Sequence, residues 1–207
     1  MKIFYYLLIF ALLITSCNYK KTQKEQSEYN ADYYFYQGLN EFEKGNYNQS
    51  LTYYNKAISL DSTVSNYFLN RGFIKIINSD TISALNDFKK SIQIDAHNAI
   101  AYYNMGRLNA DRGNHQDASE FFRICMTIDP SYYPVYYNCA YSQYQIKDYD
   151  EALKNFKKAI QFDDEPKFYA YYYMGLIYKE KNDMVNAKSY FEKAAALGNP
   201  DAKKELK

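Results

Sequence analysis

Tryptophan is absent from this 207-residue chain, and histidine, cysteine, proline and glycine are scarce at 2, 3, 4 and 7 copies. So few Gly and Pro leave too little turn chemistry for an all-β protein with many short strands. The two histidines, His97 and His115, have no Cys or acidic pair nearby at ligand spacing, so no metal centre is read. Both are read as solvated turn residues. No phosphate-binding loop, dinucleotide fingerprint or nucleophile elbow occurs. The carboxylates are spread along the chain without a concentrated pair for acid–base work. A non-enzyme without a cofactor is therefore expected. Neither sign of charge is in excess: 25 Lys and Arg face 24 Asp and Glu, a net charge of +1. That balance argues against nucleic acid as a partner, which calls for a basic surplus on one face. What the chain does have is tyrosine, 26 copies of it. A tyrosine can bury its ring and keep its hydroxyl at water.

One long apolar run is present, Ile3 to Ile14, twelve residues behind the single charge of Lys2. A permanent membrane-spanning helix needs about 20 apolar residues, so this run reads as the core of an export signal. It ends in Ile14-Thr15-Ser16-Cys17, which resembles the lipobox of bacterial lipoproteins. That resemblance implies a signal peptide over 1–16, removal of it before Cys17, and acylation of Cys17. Several acyl chains hold a protein on a membrane where one gives marginal binding. Asn18 stands where an Asp would resemble an inner-membrane retention signal, so the outer membrane is expected in a cell with two membranes. Residues 17–30 then comprise the lipidated Cys and a polar, mixed-charge tether without apolar period.

From Ala31 onward the chain repeats itself. Gly38, Gly72, Gly106, Ala140 and Gly175 are spaced 34, 34, 34 and 35 residues apart. An aromatic precedes each by four: Tyr34, Phe68, Tyr102, Tyr136 and Tyr171. Twelve residues after each comes Ser50, Ala84, Ala118, Ala152 or Ala187, then an aromatic, Tyr54, Phe88, Phe122, Phe156 or Phe191. A further small residue follows: Ala57, Ser91, Cys125, Ala159 or Ala194. This series resembles the tetratricopeptide repeat (TPR), with aromatics at repeat positions 4 and 24 and small residues at 8, 20 and 27. Asp129-Pro130 matches the repeat's usual ending; the other repeats lack that Pro. The resemblance implies an all-α fold, a right-handed superhelix of five helix-turn-helix repeats over 31–64, 65–98, 99–132, 133–167 and 168–201, with a C-terminal cap over 202–207. Apolar residues three and four apart in both halves of each repeat agree with two helices per repeat. Asn46, Asp80, Asn114, Asp148 and Asp183 stand where a side-chain oxygen could cap each second helix.

In TPR arrays the first helices line the concave side, at repeat positions 2, 5, 6, 9 and 12. Carried over by position, the groove holds Asn70, Asn104 and Asn138 at position 6, Tyr103, Tyr137 and Tyr172 at position 5, and Arg107 and Tyr141 at position 9. Three Asn side chains can donate to and accept from an extended peptide. The basic residues with which chaperone-binding TPRs clamp a terminal carboxylate are largely missing. The reading is therefore a membrane-anchored scaffold that binds a protein or peptide in an aromatic, Asn-lined groove. The alternative is a glycan- or wall-binding accessory lipoprotein, which the lack of Trp disfavours. Cys125 and Cys139, at positions 27 and 7, read as buried thiols, with pairing in an exported protein left open.

Overall fold

The structure, a computed structural model, describes residues 29–162 and 167–207. Cys17, the apolar run and most of the tether lie outside the described residues. Among the described residues there are eleven helices and no strand: α1 (Ala31–Glu43), α2 (Tyr47–Leu60), α3 (Ser65–Ile77), α4 (Thr81–Ile94), α5 (Ala99–Asp111), α6 (His115–Ile128), α7 (Pro134–Gln145), α8 (Tyr149–Ala159), α9 (Lys167–Glu180), α10 (Met184–Ala196) and α11 (Pro200–Glu205). They form two compact units. The first runs to Asp80 and contains α1–α3; the second starts at Thr81 and contains α4–α11.

The turn between the two helices of a repeat is the same in every copy. Repeat position 15 is Gly45, Ser79, Gly113, Lys147 or Asn182, and each adopts a positive φ between 58° and 81°. The amide of the next residue donates to the carbonyl five back: Asn46 to Glu41, Asp80 to Lys75, Asn114 to Asn109, Asp148 to Gln143 and Asp183 to Tyr178, at 2.8–2.9 Å. The amide of position 15 itself reaches the carbonyl three back. These paired bonds close the first helix as a Schellman motif and satisfy carbonyls that would otherwise be orphaned.

The expected side-chain caps of the second helices are mostly absent. Asn46, Asn114 and Asp148 occupy the N-cap but make no side-chain cap bond, whereas Asp183 accepts from the Asn186 amide at 3.1 Å. These three residues have φ near −80° and ψ of 61–70°, directly after the positive-φ residue of the Schellman turn. Side-chain caps appear instead on α1 (Asn30), α5 (Asn98) and α11 (Asn199).

Two contacts explain the repeat's aromatic pattern. The ring at position 24 lies against the glycine at position 8. A Cβ on Gly38, Gly106 or Gly175 would stand 2.5–2.6 Å from a ring carbon of Tyr54, Phe122 or Phe191. The same ring meets the ring at position 5: Phe35–Tyr54, Tyr103–Phe122, Tyr137–Phe156 and Tyr172–Phe191 have centroids 5.7–6.0 Å apart. The aromatics at position 4 pair with position 23 in three repeats, Tyr34–Tyr53, Tyr102–Phe121 and Tyr171–Tyr190. A lysine at position 26 covers the position 4 ring at 5.9 Å in repeats one, four and five, through Lys56, Lys158 and Lys193. Burying such rings is the main stabilising term of each helix pair, with roughly 0.5–1.5 kcal/mol per aromatic pair beyond area burial.

In the second unit each second helix also packs on the first helix of the next repeat, as α6 on α7 and α8 on α9. First helices meet one another too, α5 with α7 and α7 with α9. They therefore form a continuous side of that unit. At its end, α11 turns back on α10, burying Ala202 completely, and Glu205 accepts from Lys179 at 2.6 Å. This is the expected C-terminal cap. Cys125 and Cys139 are free and fully buried in one core cluster with Phe122 and Val135. Burial pushes both thiols up to about 12, so neither ionises readily.

Candidate functional site

The row α5, α7 and α9 carries seven of the eight groove residues read from the sequence. Asn70 is on α3, in the first unit, where its Nδ2 donates to the Asn66 carbonyl at 2.8 Å. The position 6 asparagines share one geometry. Asn104 donates to Ile100 and Asn138 to Pro134, each to the carbonyl four residues back and each at 2.8 Å. This changes their chemistry. One donor hydrogen of each carboxamide is engaged on its own helix, and the carboxamide oxygen remains an acceptor. Asn138 Nδ2 also donates to the Tyr103 hydroxyl at 3.2 Å, linking α7 to α5.

The position 5 tyrosines are first of all packing residues. Tyr103 is 9% exposed and Asn104 5%, both inside the protein more than on its surface. Tyr103 sits between Phe122 and Tyr132, at 5.9 and 5.1 Å. Tyr137 joins two core clusters and stays half-buried. Tyr172 leans on Phe191, in the cluster that α11 closes. The spacing that puts these rings on the first-helix row also brings them onto position 24, and the helix pair claims most of their surface.

The accessible part of the site is built from position 9 and beyond. Arg107 is exposed, its guanidinium 5.9 Å from the Tyr103 ring. Tyr141, half-buried, meets the edge of Tyr173 at 5.2 Å, and Tyr144 meets the same ring at 5.2 Å. Tyr173 stacks on Phe156 within 4° of parallel. Its burial and its hydrogen bond with Tyr141 push its phenol up to about 12. Tyr144 and Tyr173 thus adjoin the candidate groove residues, although the positional reading did not select them. Tyr173 stands in the Asn column at position 6, and Tyr144 stands at position 12.

His115 departs from the solvated reading. It opens α6 directly against α7, with its ring edge-on to Tyr141 at 5.9 Å and its Nδ1 buried without a hydrogen-bond partner. His97 is exposed in the turn before α5, as read. Among the described residues no group of three or more His, Cys, Asp or Glu side chains is gathered to hold a metal, and no helix is long and apolar enough to cross a membrane.

Models of the tetratricopeptide repeat match residues 31–64, 99–132, 133–166 and 169–201, about two thirds of the chain. The chain belongs to the tetratricopeptide repeat family. Comparison with curated proteins finds no match. Among solved structures, this TPR chain is similar to YrrB, described as a TPR protein with an unusual peptide-binding site. The TM-score is 0.77 at 19% identity, over 89% of this chain and 97% of that one. A MamA structure gives 0.70 at 24%, over 80% and 96%. PilF of Pseudomonas aeruginosa gives 0.66 at 20%, over 81% and 76%. At these identities the likeness concerns the fold, an all-helical TPR solenoid.

Proposed function

We propose that this TPR protein is a lipid-anchored, non-catalytic scaffold of the bacterial cell envelope. It holds an extended segment of a partner protein along the first helices of repeats three to five. The observation that carries the reading is the joined surface from Arg107 to Tyr144. The Asn138 amide is tied to the Tyr103 hydroxyl across α5 and α7, and Tyr141 and Tyr144 both meet Tyr173 across α7 and α9. A row of phenols and carboxamide oxygens offers ring faces to apolar side chains and acceptors to peptide amides. Rigid rings lose little entropy on binding, which favours them as contact residues. The peptide-binding site ascribed to YrrB, a similar solenoid, supports the same kind of ligand. The Ile14-Thr15-Ser16-Cys17 sequence supports the anchor, and a tether of that composition raises the local concentration of the groove near the membrane.

The test uses the full-length chain in detergent as bait for envelope proteins, beside an Arg107→Ala/Tyr141→Ala/Tyr144→Ala variant whose circular dichroism is checked first. A partner retained by the native chain and lost from the variant is the expected result. Equal capture by both would reject the groove. Capture of insoluble wall polymer in place of any protein would favour a glycan ligand. The anchor has a separate readout: Cys17→Ser is expected to leave the membrane fraction or to stay unprocessed, and a fully membrane-bound, normally cut variant would defeat that part of the proposal.

A further inference from the structure

A second surface lies on α8, outside the first-helix row. A cavity of about 650 Å³ opens there, with Tyr136 and Leu153 as its floor and Lys154, Lys157 and Lys158 on its rim. The floor residues are 7% and 8% exposed, so they form a fixed apolar base. All three lysines are exposed. Lys158 is held over the Tyr136 ring at 5.9 Å, which places its charge beside the floor. Lys154 makes a loose pair with Glu151 at 3.3 Å. Lys157 has no carboxylate partner among the described residues. The rim's own carboxylate, Asp150, is occupied by Lys181 at 2.6 Å. Among the described residues the cavity mouth therefore carries more lysine than carboxylate next to apolar surface.

The other repeats do not share this set. Positions 22, 25 and 26 read Thr52, Asn55 and Lys56 in the first repeat, Asn86, Lys89 and Lys90 in the second, Glu120, Arg123 and Ile124 in the third, and Ser189, Glu192 and Lys193 in the fifth. In the third repeat the single cation is bound by Glu120 at 2.5 Å. The triple lysine is thus a property of α8 and not of the repeat.

We infer that the α8 cavity is a second docking site, taking an acidic segment of a partner protein that inserts one apolar side chain between its carboxylates. Charge complementarity selects the occupant. Carboxylates meet Lys157 and Lys158 at the rim, where opposite charge speeds encounter and excludes basic partners. An apolar side chain of the same segment covers Leu153 and the Tyr136 ring. A volume of this size accommodates a few residues of extended or helical peptide. The site is separate from the groove, so a scaffold with both can hold two partners, or one partner at two points.

The probe is a fluorescein-labelled dodecapeptide of Asp and Glu with a central Phe and Leu, followed by anisotropy against the full-length chain. Saturable binding that weakens as salt is raised is expected. Lys157→Glu/Lys158→Glu and the milder Lys157→Gln/Lys158→Gln should each weaken it by about tenfold or more, with unchanged helicity. The Arg107→Ala/Tyr141→Ala/Tyr144→Ala variant should bind the probe as the native chain does. No binding by the native chain, equal binding by both lysine variants, or equal binding of an all-Glu peptide lacking the apolar pair would overturn the site. So would lysine-dependent binding of vesicles containing phosphatidylglycerol with no binding of the peptide, which would reassign the patch to a membrane surface.

Discussion

Tyr103 shows how a residue can be well placed and still be the wrong residue to mutate. It stands on the first-helix row and accepts from Asn138, yet it is 9% exposed and wedged between Phe122 and Tyr132. Tyr103→Ala is expected to lower unfolding free energy by about 3–5 kcal/mol, as large-to-small changes at buried aromatics do. Any binding lost with it would report damage to the fold. Tyr103→Phe keeps the ring and removes one hydroxyl, and should cost only about 0.5–1.5 kcal/mol. Urea unfolding of the two variants separates these outcomes; a near-neutral Tyr103→Ala would show that the ring is not a core member. Arg107 is the opposite case, exposed and without a salt-bridge partner among the described residues, so its replacement should change binding and leave stability alone.

At the scale of the helix pair, the controlling device is the Schellman turn at position 15. Gly45 and Gly113 adopt positive φ without steric cost, whereas Lys147 does so at φ 64° with a side chain. The left-handed region costs a non-glycine residue about 1–2 kcal/mol, and the added backbone freedom of an unfolded glycine returns about 0.5–1 kcal/mol. Lys147→Gly is therefore expected to stabilise the protein by roughly 0.5–1 kcal/mol, seen as a higher melting temperature. A lower one would mean that the Lys147 side chain contributes more than its backbone strain costs. The same scale explains the ring pairs. A glycine at position 8 lets the position 24 ring approach the first helix, and that ring then supports position 5.

For the whole molecule, the dense tyrosine content predicts sensitivity to alkali. Burial pushes Tyr132 and Tyr173 up to about 12 from an ordinary 10.0, and Cys125 and Cys139 up to about 12 from 9.0. These groups hold their protons more tightly folded than unfolded. Their contribution is therefore complete below the unfolded values and is lost as pH rises through the folded ones. The melting temperature should be insensitive to them near neutrality and fall from about pH 9 towards 12, with the buried phenols' share of tyrosinate absorbance rising together with unfolding. Ionisation of the full tyrosine complement before unfolding would place these phenols at the surface.

The chain's periodicity determined the repeat, the helix pairs and the small residues at position 8, because those follow from side chains that recur every 34 or 35 residues. The resemblance to the TPR implied the first-helix row by position. What periodicity could not settle is how one side chain divides its surface between two neighbours. Position 5 looked like groove and is mostly packing, because the ring at position 24 lies within 6.0 Å of it in four repeats. The asparagine column looked free to donate and accept, but one donor hydrogen of each is engaged by the carbonyl four residues back. His115 looked solvated until α7 was set against it, and three lysines on α8 became a rim only when Tyr136 and Leu153 were placed beneath them. Local patterns decide which element forms, since they act within one helix. Burial and hydrogen-bond partners depend on atoms that the chain brings together from different helices, and only the tertiary structure assigns those.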